Sequence, residues 1–498
     1  MLCNVRSDHE LLYSGNRLYR FLKVILILFV ITAKTVNAED SIIKKYPDGS
    51  IYTGPLKKGL HHGLGTYSLP NGYEYTGAWV DGQIQGQGVA TYPDGTTYTG
   101  DFEAGKPAGN GKMVFIDKRI YQGEWEGGIP NGAGILTIPD GSVYEGEFKD
   151  FKFHGPGKLT TNEGHVYLGS WDNGKQSGDM YITYADGAKY TGNVVNQYPD
   201  GTGKLTLTTG LIYDGLWSQG EWNGLGTLSY PENDDCVERK LETTRHQYKG
   251  LFQSGMRHGQ GQMVYCTGDL YNGSFLNDKR SGYGVFSGVD GFVYQGNWLE
   301  DQMNGKGVVA YPDGSLYDGF LSKDLLHGNG RMVYRDGSSY EGSWENGAIS
   351  GEGIYKYVNG VIFRGLFKNG IYDGQGQLLD PSGYQYLGEW LQGDQHGKGK
   401  SIYQDGSIYE GMFEFGQRQG FGILKKVSGF SYFGNWKNGH MHGKGVVNYE
   451  SGAIYTGNLE NGKRSGEGTM TYSNGEVAFG TWENGRLVKA RKRLIPKN

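Results

Sequence analysis

Long apolar runs, cysteine and proline are all scarce in this chain of 498 residues, and each shortage removes a class of protein. The main apolar run, Val24 to Ala33, is about ten residues long, roughly half of what crosses a bilayer as a helix. Three cysteines are too few for a disulfide-dense module. Thirteen prolines and no serine tract exclude a proline-rich or Gly/Ser linker, and an aromatic content of 14% argues against disorder. Basic residues are not in excess: the formal charge is −5, which gives no support for nucleic-acid binding. No serine sits in a nucleophile elbow, and the Gly-x-Gly elements lack the following helix that a dinucleotide or phosphate loop requires. No catalytic constellation emerges, so the chain is read as a non-enzyme without a cofactor.

Glycine and tyrosine are abundant, with 88 and 38 residues. Tyr-x-Gly recurs every 23 residues from Tyr52 to Tyr213, slips by twelve, and resumes from Tyr248 to Tyr455, with Phe363 substituting once and Ala478 in a last degenerate unit. The result is nineteen units, eight before the slip and eleven after it. A fixed short period marks a repeat array whose units are stabilised by their neighbours.

The first 38 residues stand outside the array. Arg17, Arg20 and Lys23 precede the apolar run, and Val36-Asn37-Ala38 has small residues at the cleavage-specifying positions, the layout of a secretory signal peptide. The expectation is an exported protein, periplasmic or extracellular, with a bacterial envelope as the setting. Anchoring to a membrane by an uncleaved signal segment is the alternative. Removing residues 1–38 leaves 43 basic and 51 acidic residues.

Each unit reads as a β-hairpin. Short pieces alternate with Gly-bearing turns, and Tyr75, Gly77 and Trp79 share one face of the first strand. Gly86, Gly88, Ala90 and Tyr92 share a face of the second, where glycine leaves room for a large ring on the neighbouring strand. Asp-Gly and Asn-Gly close the turns. The fold class is therefore all-β: an elongated, twisted antiparallel meander of stacked hairpins, about 180 Å long at ~4.8 Å per strand. One face is aromatic throughout, which leaves three solutions: rings buried over glycines, self-association, or a ligand. The candidate interaction face comprises Tyr75, Trp79, Tyr92, Tyr121, Trp125, Tyr144, Tyr167, Trp171, Tyr213, Trp217, Tyr294, Trp298, Tyr311, Tyr340, Trp344, Tyr386, Trp390, Tyr432 and Trp436.

Tyr-x-Gly-x-Trp/Phe, then Gly-x-Gly, then Asp-Gly at this period resembles the MORN repeat, as in Tyr432-Phe-Gly-Asn-Trp-Lys-Asn-Gly-His-Met-His-Gly-Lys-Gly. The resemblance runs from about residue 46 to 485. It implies a scaffold, interaction or dimerisation platform, and for some members contact with phospholipid headgroups. The unit at Tyr190 departs from the pattern with Val194 and Gln197, and Lys118 replaces a turn glycine.

The expected organisation is a signal peptide (1–38), a first array (39–232), an inserted loop (233–247), a second array (248–485) and a basic tail (486–498). Cys236 in the insertion and Cys266 at a hairpin turn form a candidate disulfide. The tail carries Arg486, Lys489, Arg491, Lys492 and Arg493 and no acid, a candidate anionic-ligand site. Leu487 and Leu494 follow helical spacing, which predicts a short capping helix.

His62, His154, His258, His327, His396 and His442 share one slot, but they lie at least two repeats apart, ~20 Å, far beyond shared metal coordination. Turn chemistry accounts for the Asp-Gly carboxylates without calcium. The leading function is a scaffold or adaptor that presents the aromatic face to a protein or to a second copy. The alternatives are phospholipid headgroup binding and, through stacking on sugar rings, envelope polysaccharide binding.

Overall fold

The computed structural model describes residues 42–231 and 246–491, and among these every regular element is a β-strand. The described residues form two compact units, divided between Lys152 and Phe153. Within each, consecutive strands pair antiparallel as a meander of hairpins. The insertion does not interrupt the second unit: Glu221–Ser229 pairs with Gln247–Gln253 in the ordinary register, Gly226 opposite Gly250 and Leu228 opposite Tyr248. Residues 233–245, with Cys236, lie outside the described residues, as does the 1–38 segment. Cys266 is disulfide-bonded.

One hairpin explains the rest. In Glu74–Val80 and Gln83–Thr91, Tyr75 faces Ala90 and Gly77 faces Gly88, but the next pair is Trp79 with Ile84. Three residues of the second strand therefore stand opposite Ala78, a bulge that kinks the hairpin. Gly86 takes φ +92° within the kink, a conformation that glycine supplies without strain. Beyond it the hairpin folds over, so that the residue nine positions after each tyrosine covers that ring. His61 stacks on Tyr52 at 3.8 Å, Trp222 on Tyr213 at 4.5 Å and Tyr372 on Phe363 at 3.6 Å. Successive lids are tied by backbone bonds such as Gly82 N to His61 O and Gly370 N to Ile349 O. At the opposite end Asp closes the turns, with Asp94 Oδ1 accepting from Thr96 N at 2.8 Å.

The last described strand, Arg486–Ala490, corrects the predicted capping helix. The Asn484-Gly485 turn repeats the lid turn of every other unit, so the chain returns as a strand, with Leu487 opposite Trp482 and packed on the core.

Candidate functional site

The aromatic face is the core. Tyr75, Trp79, Tyr121, Trp125, Tyr144, Trp171, Tyr213, Trp217, Tyr294, Trp298, Tyr340, Trp344, Tyr386, Trp390, Tyr432 and Trp436 are all buried. Tyr92, Tyr167 and Tyr311 are half-buried. The sequence expectation that these rings are offered to a partner is overturned, and the kink is the physical reason: each hairpin folds its far end over its own tyrosine. The rings meet edge to face, Tyr75 with Trp79 at 5.5 Å and with Phe102 at 4.9 Å. Burial of each ring contributes roughly 2–3 kcal/mol.

Glycine pairs seat the rings. A Cβ at Gly353 would lie 2.3 Å from the Tyr340 hydroxyl, and one at Gly77 the same distance from that of Tyr75. The buried hydroxyl donates to the carbonyl three residues on, Tyr75 to Ala78 at 3.0 Å and Tyr340 to Ser343 at 3.0 Å. That carbonyl lies in the bulge, where the ladder offers it no regular partner, which accounts for tyrosine in place of phenylalanine. Tryptophan Nε1 donates fourteen residues back, Trp79 to Gly65 O and Trp436 to Gly422 O. Burial pushes Tyr75 and Tyr340 up to about 12. At one unit Met180 stands in the second glycine's place opposite Gly169, and there Tyr167 is only half-buried.

The lid residue was missed by sequence reasoning. Its identity varies: Ile84, Pro107 and Pro130 in the first unit, Arg257, Arg280, Arg418 and Arg464 in the second, each opposite the aromatic or Leu459 of its own strand. Arg280 lies 4.1 Å over Trp298, Arg418 4.2 Å over Trp436 and Arg464 4.3 Å over Trp482. Arg257 and Arg280 also reach Asp278 and Asp301, each at 3.1 Å. These aspartates hold the turn position where other units have glycine, at φ +69° and +70°, and accept the backbone N–H of Arg257 and Arg280. The signal available in sequence was a bulky residue at a fixed place in an otherwise polar hairpin end.

Between lids and turns the rings at this position are half-buried, and an open groove of about 620 Å³ there is lined by Ser382, Tyr384, Tyr403, Gln404, Asp405, Ser407, Arg418, Leu424 and Lys426. Tyr384 and Tyr403 stand 5.8 Å apart, and the Tyr384 hydroxyl accepts from Gln395 at 2.8 Å. Burial raises Tyr403, while the Arg418 guanidinium works in the opposite direction. Tyr311, Tyr334 and Tyr449 hold the same position as Tyr403 in other units and are half-buried too.

The remaining predicted sites are dispersed. His62 lies 3.7 Å from Asp81 and His154 3.6 Å from Asp172, while Nδ1 of His396 and of His442 is buried without a hydrogen-bond partner. Among the described residues no group of three or more His, Cys, Asp or Glu is placed to hold a metal ion. Arg486 and Lys489 are exposed on the final strand, Arg491 pairs with Glu467 at 3.1 Å, and Lys492 and Arg493 lie outside the described residues. No helix among the described residues is long and apolar enough to cross a membrane.

Comparison with known proteins gives the following. Alsin from Homo sapiens and from Rattus norvegicus is 40% identical over 52 residues, covering 9% of this chain and 3% of Alsin. This chain thus matches only a small fraction of the length of those relatives. Among solved structures, the TCP domain of Drosophila melanogaster SAS-4 in complex with a proline-rich motif of Ana2 is 16% identical, with a TM-score of 0.20, over 36% of this chain and 85% of that one. The TCP10 domain of Danio rerio CPAP with a STIL peptide is 16% identical, with a TM-score of 0.14, over 60% and 96%. The model of the MORN repeat matches sixteen segments, at 52–72, 75–97, 98–118, 121–143, 144–166, 213–234, 248–270, 271–293, 294–316, 317–339, 340–362, 363–383, 386–408, 409–430, 432–454 and 455–477. The units at Tyr167, Tyr190 and Ala478, which depart most from the pattern, are the three without a match. With more than half of its residues matched in the register of its hairpins, the chain belongs to the MORN-repeat family.

Proposed function

We propose that this chain is an exported, non-enzymatic scaffold that binds a segment of a partner protein in the groove between lids and turns. A repeat array with an all-β fold fits a scaffold or binding role. The observation that carries the finer reading is the contrast in ring burial. Apart from Tyr167, the tyrosines of the Tyr-x-Gly motif are sealed, whereas Tyr384 and Tyr403 remain half-buried in a groove that also holds Asp405, Arg418 and Lys426. Half-exposed aromatics beside both signs of charge are suited to a polypeptide, which offers apolar side chains, amides and charges together.

The non-enzymatic reading rests on the causes of the perturbed groups. Burial raises the tyrosines, and turn hydrogen bonds lower the carboxyls of Asp313 and Asp405, so these shifts have structural explanations. Export rests on the pattern of residues 1–38. Self-association through the ring face loses its basis, because those rings are already covered.

A photo-crosslinking residue placed at Tyr403 or Tyr449, in the cells that make the protein, tests the proposal. Discrete protein adducts at both positions, and none at the outer-face residue Thr76, support a groove-bound partner. Equal adducts at all three positions, or none at the groove, contradict it.

A further inference from the structure

The solvent-facing side of the sheet opposite the rings is mostly polar, and on the second unit a few cross-strand pairs break that rule: Leu168 with Tyr181, Leu225 with Leu251, and the aromatic pair Phe421 and Phe433. Phe421 and Phe433, on Gln417–Lys425 and Ser431–Lys437, are 48% and 50% exposed and meet edge to face at 4.8 Å. Phe433 lies opposite Ile423 on one side and opposite Val446 on the other, and Met412 sits on Ile408–Glu414. The corresponding positions in neighbouring units are charged or polar: Lys398 and Lys444 for Phe421, Glu410 and Thr456 for Phe433. Alternation puts the buried Leu424 and Tyr432 on the other face, so this patch adds nothing to the core.

Lysines frame the patch. Lys398 lies opposite Met412, Lys400 opposite Glu410, Lys425 beside Ile423 on the same face, and Lys444 beside Val446. All four are exposed and none is held in an ion pair. Two acids stand among them, Glu410 opposite Ile423 and Glu389, whose Oε1 accepts from Lys398 N at 3.3 Å, so four lysines outnumber two carboxylates on an acidic chain.

We propose that this patch docks a short acidic segment of another protein, whose apolar side chains cover Phe421 and Phe433 while its carboxylates pair with Lys398, Lys400, Lys425 and Lys444. The patch crosses five strands, about 19 Å at ~4.8 Å per interval, the length of a helix of about 13 residues. Two adjacent aromatics within a charged rim match the layout of a binding hot spot. A membrane is the less suitable occupant. The two rings pack against each other instead of projecting, and a plane of anionic lipid would also meet Glu389, Glu414 and Glu467 on the surrounding strands. A bound segment confined to the patch meets the four lysines and Glu410, and avoids Glu414 and Glu467. The site lies on the face opposite Tyr403 and does not depend on the groove reading.

The test is selection from a random peptide-display library on the full chain, followed by fluorescence anisotropy with the recovered peptides. Peptides that combine apolar anchors with Asp or Glu are expected. Their binding should weaken at least tenfold with Phe421→Thr and Phe433→Thr, weaken several-fold with Lys398→Gln and Lys400→Gln or high salt, and be unchanged by Tyr403→Ser. The lysine variants leave the apolar surface intact and decide the matter alone should the Thr variant fail to fold. Recovery of no peptide, of peptides without acids, or of peptides lost with Tyr403→Ser but kept with Phe433→Thr overturns the proposal. Binding of phosphatidylserine vesicles that requires Phe421 and Phe433 would overturn it in favour of a lipid surface.

Discussion

The first unit lays Ile84, Pro107 and Pro130 over the path of its tyrosines, while the second, beside apolar lids such as Pro199, Leu326 and Ile349, uses Arg257, Arg280, Arg418 and Arg464 in four of its hairpins. The ring beneath hardly changes. Its seat is backbone, two glycines and a bulge carbonyl, and a seat made of backbone accepts only one shape. The lid meets the ring on one side and water on the other, so any residue with enough apolar length serves. Proline does so with a stiff apolar surface; arginine lays its stem on the ring and leaves its head for a carboxylate. The same hairpin is thus closed by hydrophobic burial alone where the lid is apolar, as in the first unit, and partly by electrostatics in the four arginine-lidded hairpins of the second.

Changes to the seat should hurt both regions more than changes to the lid. Gly353→Ala places a methyl against the Tyr340 ring and hydroxyl, where overpacking is expected to cost about 3 kcal/mol. Gly337→Ala, in an open turn at φ +90°, should cost about 1 kcal/mol. Denaturant unfolding measures both, and equal costs would mean that the rings do not depend on glycine.

The lids separate the two regions next. Arg280→Ala removes the Trp298 contact and the Asp301 pair, with an expected loss of about 2 kcal/mol that shrinks in high salt. Pro107→Ala should lose about 1 kcal/mol, independent of salt. The same salt response in both variants would erase the distinction between burial and electrostatics.

Alkaline pH provides the finest comparison. The buried tyrosines titrate above their unfolded value of 10, so their contribution to stability is complete below pH 10 and is lost as pH rises toward 12, where Tyr75 and Tyr248 ionise. Arg257 draws Tyr248 downward against burial. Arg257→Met should therefore delay Tyr248 ionisation, seen as a later rise in phenolate absorbance, whereas Ile84→Met should leave Tyr75 unmoved. A shift in both would show that the lid acts through access to water and not through charge.

The period, the hairpins, the glycine seats and the turn types were legible in the sequence because each follows from local residue chemistry. The outcome for the aromatic face was not. Whether rings face a partner or their own hairpin depends on the bulge between Gly77 and Trp79, and an alternating pattern reads through a bulge as though the strand were straight. The lid was hidden because His61, Ile84, Pro107, Trp222 and Arg257 share a place and no chemistry. The tail failed for a similar reason: helical spacing of Leu487 and Leu494 competed with an Asn484-Gly485 turn, and the turn won by extending the ladder.

Nitration of the folded protein with tetranitromethane, read by peptide mass mapping, tests the central claim that the repeating rings are core. Tyr198 and Tyr283, 60% and 55% exposed, should be modified rapidly, while Tyr75, Tyr294, Tyr340 and Tyr432 react only once the chain is unfolded. Modification of Tyr75 or Tyr340 in the folded state at the rate of Tyr198 would contradict the account and restore the aromatic face as an open surface.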